Sequence, residues 1–243
     1  MSTLRLEHIS YRYGAKTALD NVSFVLEQGR FCALLGLNGA GKSTLFSLLT
    51  RLLVTREGTI HVAGHDLARE PRAALGKIGV VFQQQTLELD LSVMQNLRYF
   101  AALQGLSGRN AQRSIDAALD RLGMRDRSGE KARALNGGHR RRMEIARALI
   151  HDPQVLLLDE ATVGLDTAAR QAITAHVHDL ADNGLLVFWA THLVDEIRAT
   201  DDVVVLHEGR VLAHDDAATL AGDGSLLDAF IRMTGPAPEG VTA

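Results

Sequence analysis

Apolar and polar residues alternate from Leu4 to Val25, with a break near Tyr13-Gly14, a pattern that predicts strands of an antiparallel sheet. Phe31 to Leu35 is continuously apolar, as expected of a strand buried on both faces of a parallel sheet. A glycine-rich turn follows, and Leu45, Leu48, Leu49, Leu52 and Leu53 then recur at helical spacing. Gly58 to Ala63 returns to alternation. From Ser92 to Ile150 the pattern is mostly helical. Ser92 and Gln95 have capping-box spacing, and Ile115, Leu119 and Leu122 form an apolar stripe closed by Gly123. Val155 to Leu158, Leu185 to Trp189 and Val203 to Leu206 predict further strands, the first two separated by a helical segment. That alternation implies a parallel sheet flanked by helices, interrupted by the helical block. A short helix is expected near Leu226 to Met233, then a loose tail from Gly235 with Pro236, Pro238 and Gly240.

The 243 residues, 46% of them hydrophobic, suffice for one sizeable core with a smaller lobe. A net charge of −3 excludes the strongly basic balance of a protein that coats nucleic acid. The single cysteine, Cys32, sits in the apolar run at Phe31 to Leu35, so a buried structural thiol and a reducing compartment are expected. Met1 to Arg5 lacks the apolar stretch of a signal peptide, and no run approaches the roughly 20 apolar residues of a spanning helix. The expectation is a soluble chain with no direct membrane insertion.

Gly36-Leu37-Asn38-Gly39-Ala40-Gly41-Lys42-Ser43 fits G-x-x-x-x-G-K-[ST] between a predicted strand and a predicted helix. Glycines let successive backbone N–H groups converge on phosphate oxygens, and the following helix adds the positive end of its dipole. Lys42 would reach the β- and γ-phosphates, and Ser43 would offer its hydroxyl to Mg²⁺. Val155 to Leu158 ends in Asp159-Glu160. At the carboxyl edge of a parallel sheet, Asp159 would hold Mg²⁺ and Glu160 would take a proton from attacking water. Together these features indicate a P-loop NTPase.

Other segments narrow that reading. Leu135-Asn136-Gly137-Gly138-His139 resembles the signature of ABC ATPases, usually Leu-Ser-Gly-Gly-Gln. Gln83 resembles the Q-loop glutamine, Gly164-Leu165-Asp166 the D-loop, and His192 the switch histidine. Tyr13 occupies the place of the aromatic that stacks on adenine, with Tyr11 as its rival. The order and spacing match along roughly residues 4–215.

The resemblance implies an α/β fold with a P-loop NTPase (RecA-like) core, an antiparallel β subdomain and an inserted α-helical subdomain. The core would span 1–83 and 151–220, the helical signature subdomain 84–150, and the C-terminal helix and tail 221–243. It implies an ATPase with ATP and Mg²⁺, the latter held by Ser43, Gln83 and Asp159. Glu160, His192, Gln83 and Lys42 would be catalytic. ATP would lie on Tyr13 and on the loop from Gly36 to Thr44. A head-to-tail homodimer would place Leu135 to His139 of one copy on the ATP of the other, with Asp166 as the D-loop aspartate.

The implied function is the ATP-hydrolysing subunit of a transporter, energising a separate membrane-spanning permease and lying peripherally on the inner face of the cell membrane. The short C-terminal helix and lack of an added regulatory domain resemble exporter subunits. Leu87 to Ser92 and residues 135–142 resemble the narrower group encoded with pyrroloquinoline-quinone-dependent alcohol oxidation systems. Three positions depart from the usual pattern: Asn136 for serine, His139 for glutamine and Ala161 for proline. A soluble ABC ATPase acting on DNA or ribosomes is disfavoured, because paired cassettes, sustained heptads and zinc-binding cysteines are lacking.

Several features read as ordinary structure. Arg140-Arg141-Arg142 is expected to form a solvated basic face, and Trp189 to lie in the core. His61 and His65 fall on a strand and turn, not on the helix that a four-residue spacing would need to bind metal. His176 and His178 do not share a helix face. Replacing Lys42 with alanine is expected to abolish both tight ATP binding and turnover; a variant retaining both would overturn the assignment.

Overall fold

The computed structural model describes residues 2–235. Of the tail expected from Gly235, residues 236–243 lie outside the described residues. Strands β1 (Ser2–Tyr13), β2 (Lys16–Glu27), β4 (Glu57–Val62) and β5 (His65–Asp66) form an antiparallel sheet in the order β2-β1-β4-β5. A second, six-stranded sheet has the order β10-β9-β3-β8-β7-β6. It contains β3 (Phe31–Leu35), β6 (Ile78–Val81), β7 (Val155–Asp159), β8 (Leu186–Thr191), β9 (Asp202–His207) and β10 (Arg210–Asp216). All neighbours are parallel except β10, which returns antiparallel beside β9.

Helix α1 (Lys42–Leu49) packs between the two sheets. Leu45, Phe46, Leu48 and Leu49 share one buried cluster with Leu4 and Leu6 of the first sheet and with Leu34, Leu157 and Phe188 of the second, and Phe46 stacks on Phe188. On its opposite face the large sheet presents Ala33, Leu35, Leu156, Leu158 and Trp189 to the helical layer. That layer includes α3 (Val93–Leu103), α4 (Gly108–Arg121), α5 (Gly137–Leu149) and α6 (Thr167–Asp182). Cys32 and Trp189 are fully buried, as expected, and burial pushes the Cys32 thiol well above its ordinary range. The short helix α2 (Pro71–Leu75) links β5 to β6, α7 (Ala217–Ala221) follows β10, and α8 (Leu226–Thr234) closes the described chain.

Several expectations need correction. The helix after the glycine-rich turn ends at Leu49; it does not run on through Leu53. Arg51 adopts φ 59°, which breaks the helical path, and Leu52 is left 68% exposed. The capping box at Ser92 and Gln95 is present, with the Ser92 side chain accepting from the Gln95 N–H. The hydrophobic pattern does not predict β6 or β10. β6 is only four residues long and contains Gly79, whose substitution by alanine would bring Cβ within 2.5 Å of the Ala148 carbonyl oxygen on α5.

Arg140-Arg141-Arg142 is not a uniform solvated face. Arg141 is 3% exposed and bonds inward to the carboxylate of Glu144, which is 1% exposed, at 2.9 Å. It also donates to the carbonyls of Phe82 and Gln83 at 2.8 and 2.9 Å. Glu144 in turn accepts the Thr86 N–H at 2.8 Å, and Arg147 donates to the Thr86 carbonyl at 2.9 Å. α5 therefore grips the backbone from Phe82 to Thr86. Removing one partner of such a pair strands the other charge without water. Arg141→Ala is expected to cost about 3–5 kcal/mol in urea unfolding. Arg5→Ala, which breaks the exposed pair with Glu7, should leave the midpoint nearly unchanged.

Candidate active site

The loop from Gly36 to Gly41 connects the end of β3 to α1. Two of its glycines are sterically required. A Cβ on Gly36 would stand 2.6 Å from the Leu206 carbonyl oxygen, and one on Gly41, at φ 112°, would stand 2.7 Å from that of Ala18. The loop is thus wedged between the ends of β9 and β2, with Ala40 buried behind it. α1 starts at Gly41 with no side-chain cap, whereas α5 and α6 are capped by Asn136 and Asp166. The first N–H groups of α1 remain available to an anion.

A cavity of about 390 Å³ lies over this loop, lined among others by Tyr13, Lys16, Gly39, Lys42, Ser43 and Glu160. Leu37, Asn38 and Thr44 also line it. Lys42 Nζ donates to the carbonyls of Gly36 and Leu37 at 2.6 and 3.4 Å, holding the loop closed on itself. Burial pulls the Lys42 ammonium below its ordinary value, against the opposing influence of Glu160 and Asp159.

Glu160 gathers the remaining cluster. It follows β7 with φ 46°, a left-handed backbone that few non-glycine residues adopt. Its Oε2 accepts from Gln83 Nε2 at 2.9 Å, and its Oε1 lies 3.5 Å from His192 Nδ1 and 3.9 Å from Lys42 Nζ. Asp159 lies beside it, its carboxyl raised first by burial and then by the Glu160 charge. Ser43, Gln83 and Asp159 present oxygen donors, the class Mg²⁺ takes. The half-buried acidic pair is a charge that a divalent cation would offset. Among the described residues no three His, Cys, Asp or Glu side chains gather as a metal cage. This donor set suits an ion shared with phosphate oxygens.

The residues expected to act in trans stand apart from the cavity. None of Leu135, Asn136, Gly137, Gly138, His139 or Asp166 lines it. Asn136 caps α5, its Oδ1 accepting the His139 N–H at 2.8 Å, and Asp166 caps α6 through the Ala169 N–H at 2.8 Å. A Cβ on Gly138 would meet Ala169 Cβ at 2.9 Å, and one on Gly137 would meet Leu165 at 3.1 Å. Within the chain these glycines let the N-termini of α5 and α6 approach. Burial lowers the His139 imidazole below its ordinary value, as do Arg127 and Arg142.

Sequence reasoning missed the turn Glu208-Gly209, which also lines the cavity. The Gly209 N–H donates to the Ala40 carbonyl at 2.9 Å, and its carbonyl accepts the Asp20 N–H at 2.8 Å, so this turn ties the phosphate loop to β2. A glycine after the apolar run at Val203 to Leu206 was the available signal. Of the two tyrosines, Tyr13 is 50% exposed at the cavity, whereas Tyr11 packs partly buried against the inter-sheet core.

Residues 19–163 match the protein-family profile described as "ABC transporter". The chain is 37% identical over 227 residues to the daunorubicin resistance ATP-binding protein DrrA3 of Streptomyces coeruleorubidus, covering 92% of this chain and 72% of that one. It is 32% identical over 238 residues to the Nod factor export ATP-binding protein I of Paraburkholderia xenovorans, covering 98% and 78% respectively. Among solved structures it resembles an ATP-binding subunit of an ABC transporter with TM-score 0.82 and 27% identity, over 96% of this chain and 99% of that one. It also resembles a dimeric ATP-binding cassette in a post-hydrolysis state with ADP and Pi, with TM-score 0.75 and 26% identity, over 88% and 98%.

The different settings of the two tyrosines yield a direct test. Tyr13→Ala should weaken nucleotide affinity roughly tenfold through loss of base stacking, measured by titration calorimetry. Tyr11→Ala should lower the thermal midpoint and cost less affinity than Tyr13→Ala, because its ring only supports Tyr13 edge-on at 5.0 Å. Equal affinity losses in both variants would contradict this assignment.

Proposed function

The chain belongs to the ABC transporter family as an ATP-binding subunit, and on that premise we propose that it hydrolyses ATP to energise export through a separate membrane-spanning permease. The observation that carries the proposal is the convergence of Lys42, Gln83 and His192 on Glu160 beside the phosphate-loop cavity. In this reading the backbone from Gly36 to Thr44 cradles the phosphates and Tyr13 stacks on adenine. Lys42 leaves the loop carbonyls for the β- and γ-phosphates. Ser43, Gln83 and Asp159 would hold Mg²⁺, which would supply positive charge against the phosphates. Glu160 accepts a proton from the attacking water, and His192 orients that water against the γ-phosphate. By turning from Glu160 toward a bound metal, the Gln83 side chain would report whether nucleotide is present.

Two copies would pair head to tail, with Leu135 to His139 of each closing the site of the other and Asp166 lying between the sites. Because the Asn136 carbonyl oxygen is committed to its cap, its amide N–H₂ is the group left to meet the γ-phosphate. The division into a core of 1–83 and 151–220, a helical subdomain of 84–150 and a C-terminal part of 221–243 belongs to the same reading.

Among the described residues no helix is long and apolar enough to cross a membrane, which supports a separate permease and a peripheral place on the inner membrane face. Relatives named for daunorubicin resistance and Nod factor export support the outward direction. The resemblance of Leu87 to Ser92 and of 135–142 supports, in this proposal, membership of the group associated with pyrroloquinoline-quinone-dependent alcohol oxidation.

Glu160→Gln tests the proposal. It should reduce steady-state ATP hydrolysis by about 100- to 10,000-fold, the range for loss of a general base. It should also accumulate an ATP-dependent dimer on size-exclusion chromatography. A wild-type rate no higher than that of the variant, with the permease present, would remove the hydrolytic role.

A further inference from the structure

Two buried threonines flank the cluster without taking part in it. Thr162 lies two residues beyond Glu160 and Thr191 immediately before His192, and each is 2% exposed. Between them lies Glu196, also 2% exposed, on the 3-10 turn Val194–Glu196. Its Oε1 accepts the Thr162 hydroxyl, and its Oε2 accepts the Thr191 hydroxyl at 2.6 Å. Thr191 Oγ1 also accepts the Leu193 N–H at 3.0 Å, which fixes the turn on the far side of His192.

Among the described residues this carboxylate forms no ion pair with a cation. Arg170, the basic side chain that faces it, is engaged with Asp195 at 3.4 Å. Burial raises the Glu196 carboxyl above the ordinary range despite the two hydroxyls. An apolar residue of similar volume would fill the space without that penalty. The arrangement does achieve something packing cannot. The last backbone tie between the two segments is the Glu160 N–H to the Ala190 carbonyl at 2.9 Å; the chain after β7 leaves the sheet there, while β8 runs one residue further to Thr191, beside Leu35 of β3. Glu196 joins them again beyond that point, one hydroxyl on each side.

We infer that Glu196 is a positioning residue that clasps the segment carrying Glu160 to the segment carrying His192, and so sets the distance between the proposed base and its orienting imidazole. This inference rests on the hydrolytic reading of those two residues. Neither threonine nor Glu196 touches nucleotide in this scheme; the clasp acts on turnover and not on binding.

The test uses the full chain and compares ATP turnover with ATP affinity. Glu196→Ala should lower kcat by about 100-fold, the scale of a small misplacement of reacting groups, and leave the Kd for ATP unchanged. Thr191→Val, which keeps the volume and removes the hydroxyl, should reproduce that loss, while Thr191→Ser should restore most of the rate. Thr191→Val carries the test if Glu196→Ala does not fold. Unchanged kcat in the folded variants, or a Thr191→Ser as impaired as Thr191→Val, overturns the inference alone. A wild-type rate no higher than that of Glu160→Gln overturns the hydrolytic reading, and this inference with it.

Discussion

The Glu160 carboxylate is held at the point where a fully buried strand runs out, in a left-handed backbone that costs about 1–3 kcal/mol in a non-glycine residue. What sustains that conformation is the sheet around it. β3, β8, β7 and β6 lie side by side, and their carboxyl ends lead to the phosphate loop, His192, Glu160 and Gln83 respectively. Four segments remote in sequence therefore meet at one edge, where parallel sheets leave a crevice for ligand. The apolar strand interiors determine this register. Val155 to Leu158 are fully buried on both faces, which leaves the strand no freedom to slip without exposing its side chains. The first residues allowed to be polar are those that emerge beyond the hydrophobic layers.

Gln83 belongs to two structures at once. Its side chain donates to Glu160, while its carbonyl accepts from Arg141 on α5. Arg141, Glu144 and Arg147 secure Phe82, Gln83 and Thr86 through backbone groups, and Arg147 also stacks over the Phe100 ring at 4.1 Å. Several charge-assisted bonds in a dry environment make this junction stiff. Movement of Gln83 between Glu160 and a nucleotide-bound metal would thus be passed to α5, whose N-terminus carries Asn136 to His139. The buried arginines give the helical insertion a mechanical reason to follow the chemistry.

Much of this architecture was legible in the sequence because its determinants are contiguous. The phosphate loop occupies one uninterrupted stretch, the acidic strand end follows four apolar residues, and the capping box at Ser92 and Gln95 is a local code. β6 was missed because four residues including a glycine offer too little periodicity, and the overlong first helix was read from leucines that continue past the turn at Arg51. Arg141 was misjudged because one-dimensional charge gives no direction. Whether an arginine faces water or a buried glutamate depends on Phe82 and Gln83, nearly sixty positions away. Glu196 was invisible for the same reason, since its partner Thr162 is 34 residues distant.

The two glycine-rich helix starts illustrate how similar local sequences serve different ends. At Gly36 to Gly41 the following helix has no side-chain cap and opens on a cavity. At Gly137-Gly138 the helix is capped by Asn136, and the glycine faces are taken up by Leu165 and Ala169. One is a cradle; the other is a surface with little room of its own. In the proposed assembly this difference sets the division of labour. The cradle binds the nucleotide first, and the capped turn adds a lid only when a second copy brings it across. Each chain carries one cradle and one lid, so a two-fold pairing uses both on both copies and leaves neither unmatched. A triphosphate that neutralises Lys42 and draws Gln83 away from Glu160 would then complete the interface and arm the site in the same event.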